Sequence, residues 1–141
     1  FLVNVKFWFQ NPFAWNQLIA WTLLIASLIP LVFGVHALKS HGKPTANREN
    51  DPSLLAFEKT TQLVTSGVYK YIRHTLYSSL FLLTWGMFFK LPSITGGTLT
   101  AVATLFLVLT AKADEAECIQ FFGPAYNDYM KKTKMFIPYL F

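Results

Sequence analysis

The sequence predicts an all-α, multi-pass transmembrane helical bundle of about three spans plus interfacial helices, and three observations predict it. Of the 141 residues, 53% are hydrophobic and only 13% charged, which departs from the usual balance of a soluble domain. The apolar residues gather into blocks over 15–38, 75–91 and 94–113, each near the roughly 17 to 25 residues with which a helix crosses hydrocarbon. The cations crowd one side of these blocks. Lys39, Lys43, Arg48, Lys59, Lys70 and Arg73 lie between the first and second, and Lys112, Lys131, Lys132 and Lys134 at or after the end of the third. Only Lys6 and Lys90 fall opposite, so the positive-inside rule places the 39–74 loop and the 114–141 tail in the cytoplasm.

The elements follow in order within a single domain, 1–141. Phe1 to Phe13 is either the tail of an earlier span or an interfacial segment, since Phe7, Trp8, Phe9 and Phe13 suit an aromatic belt. The apolar run from Trp15 is too long for a signal peptide and is preceded by only one cation, Lys6. The loop that follows is rich in turn formers over 40–50. Asp51-Pro52 then reads as a helix start, and Leu54, Leu55, Phe57, Leu63 and Val64 suggest a short helix on the membrane surface. The second span reaches its length only by including Lys90 and Leu91, with the lysine stem snorkelling to the far interface. Gly96-Gly97 opens the third, where small residues serve close helix packing. Gly123-Pro124 ends one helix and starts another, with Pro at its first position. Tyr126 and Tyr129 read as interface anchors there, and Lys131, Lys132 and Lys134 lead into an aromatic end, Phe136 to Phe141, as in an interfacial segment.

Several function classes drop out. The net charge of +5 follows from topology, and no basic stripe with interleaved aromatics points to nucleic acid. One cysteine, Cys118, excludes an internal disulfide, and His36, His41 and His74 lack the spacing of metal ligands. The chain contains neither a Walker lysine motif nor GxGxxG.

The polar run Gly67 to Tyr77 leads into the second span and supplies the candidate site. If the chain reverses at Ser93, His74 lies nineteen residues before the turn and Lys112 nineteen after it. At about 1.5 Å per residue, Asp114 and Glu115 return to the depth of Arg73 and His74. Thr75 can serve as N-cap, turning the amides near Leu76, Tyr77 and Ser78 toward the interface, where with Arg73 they favour an anion. Topology anchoring explains Arg73 and His74 equally well, and an ion pair holding the hairpin together would account for the acids.

The run Gly-x-Tyr-x-Tyr-x-Arg-His-x-x-Tyr-Ser at 67–78, followed by Asp114-Glu115, Phe122-Gly123, Tyr126, Tyr129 and Pro138, resembles the isoprenylcysteine carboxyl methyltransferase and phospholipid methyltransferase superfamily. The resemblance covers about the C-terminal half. It departs from the family pattern at Val68, Thr75, Ser79 and Asp114, where the family carries Pro, Pro, Gly and Glu. It implies an integral membrane enzyme that uses S-adenosylmethionine without a Rossmann domain. His74, Tyr77 and Glu115 would contact the cofactor, with Tyr69 and Asp114 shaping its pocket. Arg73 would orient an anionic substrate or the cofactor carboxylate, and Glu115 or His74 would accept a proton.

The function this implies is methyl transfer at the cytosolic membrane face to a small lipophilic or lipid-linked acceptor bearing a carboxylate, amine or hydroxyl. Membrane lipids are the surroundings and the route by which such a substrate arrives. The alternative is a catalytically silent membrane subunit of the same fold, held to a membrane protein partner. A related NADPH-dependent membrane reductase is a third reading, for which no basic cluster suited to the cofactor phosphate stands out.

Overall fold

The computed structural model describes residues 2, 5–41, 63 and 65–141. Among the described residues, four α-helices succeed one another: α1 (Trp15–His41), α2 (Thr75–Lys90), α3 (Ile94–Phe122) and α4 (Pro124–Lys132), with 3-10 turns at Val5–Phe7 and Gly67–Lys70. Among the described residues there is no strand, only a single parallel bridge between Ile72 and Lys134. The all-α expectation holds.

Among the described residues, two helices are long and apolar enough to cross a membrane: Trp15–Ser40, with mean hydropathy 2.4, and Ile94–Phe122, with 1.8. A soluble protein would enclose such helices in its core. Here only 22% and 11% of their most apolar windows are buried. Ile25, Val32 and Phe33 on α1, and Leu99, Leu105 and Phe106 on α3, stand exposed. Such faces suit hydrocarbon, where a helix also satisfies every backbone amide internally.

The boundaries differ from the sequence reading in three places. α1 runs on past Leu38 to His41. α3 continues beyond Ala113 to Phe122, because nothing in its polar continuation breaks a helix before Gly123, whose φ is 66°. α2 has 16 residues and excludes Leu91, so at about 1.5 Å per residue it is roughly 24 Å long, short of the ~30 Å of hydrocarbon. The surface helix expected after Asp51 lies outside the described residues, save Leu63, which is not helical.

α2 is the central helix, packed most extensively on α1 and over a shorter stretch on α3. Two glycines permit the close approach to α1. A Cβ on Gly86 would lie 2.9 Å from Leu24 Cγ and 3.2 Å from the Leu24 amide nitrogen, and one on Gly34 would lie 2.9 Å from Thr75 Cγ2. The α2–α3 reversal falls at Ser93, as counted from the sequence. Its Oγ caps α3 by accepting from the Gly96 amide at 3.0 Å.

Candidate functional site

Three pieces of chain meet where α2 begins. The 71–74 segment runs beside 134–135: the Arg73 amide donates to Lys134 O at 2.8 Å, His74 to Met135 O at 3.1 Å, and Lys134 back to Tyr71 O at 3.0 Å. Ser78 Oγ, one turn into α2, donates to Phe136 O at 2.6 Å and fixes the tail further. α3 passes alongside and presents Asp114 and Glu115.

Glu115 is the hub. Its Oε1 accepts from Arg73 Nε at 2.8 Å and lies 3.3 Å from His74 Nε2. The Arg73 and Glu115 side chains are only 10% and 9% exposed. Arg73 Nη1 donates in addition to the Met130 carbonyl at 3.0 Å and to the Thr133 carbonyl, both at the C-terminal end of α4. One guanidinium thus joins α2, α3 and α4. Burial by itself would raise the Glu115 carboxyl, which lies past the apolar stretch of α3. The hydrogen bonds from His74 and Arg73 and their charges outweigh burial and hold it below the ordinary carboxylate range.

A second contact lies beside this node. Tyr77 Oη donates to Asp114 Oδ2 at 2.6 Å, and the Tyr77 ring stacks on His74 with centroids 5.6 Å apart. Phe136 meets the other side of His74 edge-on at 6.3 Å and stacks on Phe81 at 6.0 Å. Imidazole, phenol and two carboxylates therefore converge at one end of the hairpin.

Of the sequence-predicted site residues, Arg73, His74, Tyr77, Asp114 and Glu115 come together. Tyr69 stands behind them: its carbonyl accepts from Tyr129 Oη at 2.7 Å, and it packs on Ala37 of α1. Three expectations are corrected. Thr75 is not the N-cap of α2; His74 occupies that position, while Thr75 is fully buried with its Oγ1 donating to Ile72 O. The Ser78 amide is closed onto His74 O and does not face the interface. Tyr126 and Tyr129 are buried, at 4% and 7% exposure, and are not interface anchors. Burial, then neighbouring Cys118 and Glu115, pushes the Tyr126 hydroxyl well above its ordinary value, and burial does the same for Tyr129.

The sequence reading missed the tail's share. Thr133, Met135 and Phe136 are all buried at the site. Nothing in their spacing marks them, because all three make contact through their main-chain carbonyls, which any residue carries.

A helical protein with membrane-length, lipid-suited helices and a buried Arg-His-Glu node at one end is the class that fold and site define. No family model matches the chain, and no solved structure matches it. Individual relatives do. Methanethiol S-methyltransferase 1 of Bradyrhizobium diazoefficiens is 26% identical over 125 residues, covering 84% of this chain and 39% of that protein. Protein-S-isoprenylcysteine O-methyltransferase of Rattus norvegicus is 32% identical over 141 residues, covering 96% and 48%. Methanethiol S-methyltransferase of Crocosphaera subtropica is 28% identical over 78 residues, covering 54% and 29%. What the chain is similar to, at low identity, is thus a set of proteins named as methyltransferases. The chain spans less than half the length of each of these curated relatives.

Proposed function

We propose that this protein is a membrane methyltransferase that uses S-adenosylmethionine at the end of the bundle where α2 begins, on the cytosolic face. The acceptor would be a small lipophilic or lipid-linked molecule. The observation that carries the reading is the convergence of Arg73, His74 and Tyr77 with Asp114 and Glu115 across the hairpin. The names of the relatives support it, covering methanethiol as an S-acceptor and a protein S-isoprenylcysteine as an O-acceptor between them.

The residues present fit the cofactor. Carboxylates suit hydroxyl and ammonium groups, and a stacked imidazole and phenol suit a flat purine or a sulfonium charge. When bound, S-adenosylmethionine supplies a methyl group on a positively charged sulfur. Tyr77, His74, Asp114 and Glu115 would hold it, with Tyr69 supporting the wall through Tyr129. The chain's main task is then to align an acceptor in line with that methyl and to keep water out. A carboxylate acceptor needs no base, whereas a thiol, amine or hydroxyl acceptor would give its proton to the His74 imidazole, at the ring nitrogen not turned to Glu115, or to the Glu115 carboxylate. Arg73, committed to Glu115 and to the end of α4, acts by positioning that carboxylate and the tail.

Calorimetric titration of the detergent-purified protein with S-adenosylhomocysteine tests the reading. Saturable binding is expected for the wild type, and its loss in Glu115→Ala and His74→Ala. Undiminished binding in both variants would overturn the site assignment. No binding by the wild type, together with copurification of a fixed partner, would favour the silent-subunit reading.

A further inference from the structure

The opposite end of the hairpin holds a buried cation that the methyltransferase reading does not use. Lys90, the last residue of α2, does not snorkel as its sequence position suggests: it is 1% exposed. Its Nζ donates to Gln17 Oε1 at 3.0 Å and to Trp8 O at 3.3 Å, and sits 3.5 Å from the centroid of the Trp21 ring and 5.5 Å from that of Trp8. All of these partners are neutral. The acids among the described residues, Asp114, Glu115, Glu117 and Asp128, follow the apolar stretch of α3 toward its other end. Indole faces and carbonyl oxygens lower the cost of this burial, but a buried charge ordinarily has a counter-charge.

A cavity of about 160 Å³ opens beside it, lined by Gln10, Asn11, Ala14, Asn16, Gln17, Lys90 and Leu91. Its polar lining is carboxamides and one ammonium, without a carboxylate. The Asn16 and Gln17 amides give one hydrogen each to the Phe89 and Lys90 carbonyls, which leaves each a second N–H. The start of α1 forms one wall, so the positive end of a 27-residue helix adds to the field of Lys90.

We infer that this cavity is an anion site for a phosphate-type oxyanion, which supplies Lys90 with its missing counter-charge. It lies where α1 and α3 start and α2 ends, the level at which a leaflet carries its phosphates. A phospholipid headgroup and free phosphate share this chemistry, and the test separates them. The site is independent of the methyl-transfer end.

The test titrates the full-length protein in maltoside detergent, in chloride buffer of constant ionic strength, with dihexanoyl-phosphatidylglycerol or with sodium phosphate. Thermal unfolding and the fluorescence of the tryptophans that flank Lys90 are the readouts. A saturable rise in midpoint is expected with the lipid if a headgroup is the ligand, or with both if the free anion suffices. Lys90→Gln should weaken the apparent affinity at least about tenfold, since a charge-assisted contact is lost. Asn11→Asp keeps the lysine and places a carboxylate at the cavity wall. It should raise the midpoint without ligand and blunt the response to it, a result open even if Lys90→Gln fails to fold. No response to either ligand, or an unaltered response in both variants, would overturn the inference.

Discussion

Removing the Glu115 carboxylate is the perturbation that the structure prices most directly. The carboxylate serves Arg73 at 2.8 Å and His74 at 3.3 Å, and the Arg73 side chain is 10% exposed. Stripping one partner from a buried pair costs about 3–5 kcal/mol, because the remaining charge stays buried. Arg73 keeps its bonds to the Met130 and Thr133 carbonyls, which places Glu115→Ala near the low end, about 3 kcal/mol. Glu115→Gln retains an acceptor for Arg73 Nε and should cost about 1–2 kcal/mol. The alanine variant should therefore unfold on the order of 10 °C lower in detergent. Arg73→Ala completes a double-mutant cycle, with a coupling of about 1.5 kcal/mol or more expected. The pH dependence carries a definite sign. The folded carboxyl lies below its unfolded value, so its contribution is present above about pH 4.3 and is lost as the pH falls through the folded value. Glu115→Gln should lack that acid-side loss. An alanine variant within 1 kcal/mol of wild type, or zero coupling to Arg73, would refute the account of the node.

Two further predictions concern the frame and the contact beside the node. Gly86→Ala should destabilise by about 1–3 kcal/mol, because its Cβ meets Leu24 backbone as well as side chain, and Leu24→Ala should restore only part of the loss. Chemical or thermal unfolding of the single and double variants reads this. Tyr77→Phe removes the 2.6 Å bond to half-buried Asp114 and should cost about 1 kcal/mol in stability. In the same protein, titration should show S-adenosylhomocysteine affinity falling about tenfold; unchanged affinity would remove Tyr77 from the proposed cofactor wall.

Much of the site was legible in the sequence because membrane geometry is simple. Apolar lengths and one turn at Ser93 set the depth of both motifs, and the bonds from Arg73 to Glu115 and from Tyr77 to Asp114 confirm the count. Helix type was equally plain at α1 and α3, where continuous apolar runs admit few alternatives. Three features were hidden. The inward turn of Lys90 depends on Gln17 and Trp21, residues more than sixty positions away, and charge position alone argues for the interface. Tyr126 and Tyr129 carry the amphipathic signature of an anchor, yet Tyr129 turns inward to the Tyr69 carbonyl and Tyr126 packs between Phe122 and Tyr129. Thr75 has a capping side chain, but His74 adopts the cap position, and the hydroxyl turns back to Ile72.

The two ends of the hairpin treat buried cations differently, and the difference bears on which bonds a ligand can disturb. At the α2 start, Arg73 and His74 share the Glu115 carboxylate, so the node is electrostatically complete within the chain. A ligand that displaced the Arg73–Glu115 bond would have to replace a buried ion pair and would also loosen α4, to which Arg73 is tied. The Tyr77–Asp114 bond is half-buried and fastens no other element, so exchanging it costs little more than one hydrogen bond. Binding should therefore be read most sensitively at Tyr77 and Asp114, and stability at Arg73. At the α2 end, Lys90 has oxygens and indoles but no acid among the described residues, so a counter-ion there would have no carboxylate to displace. The same helix thus begins in a closed charge network and ends in an open one.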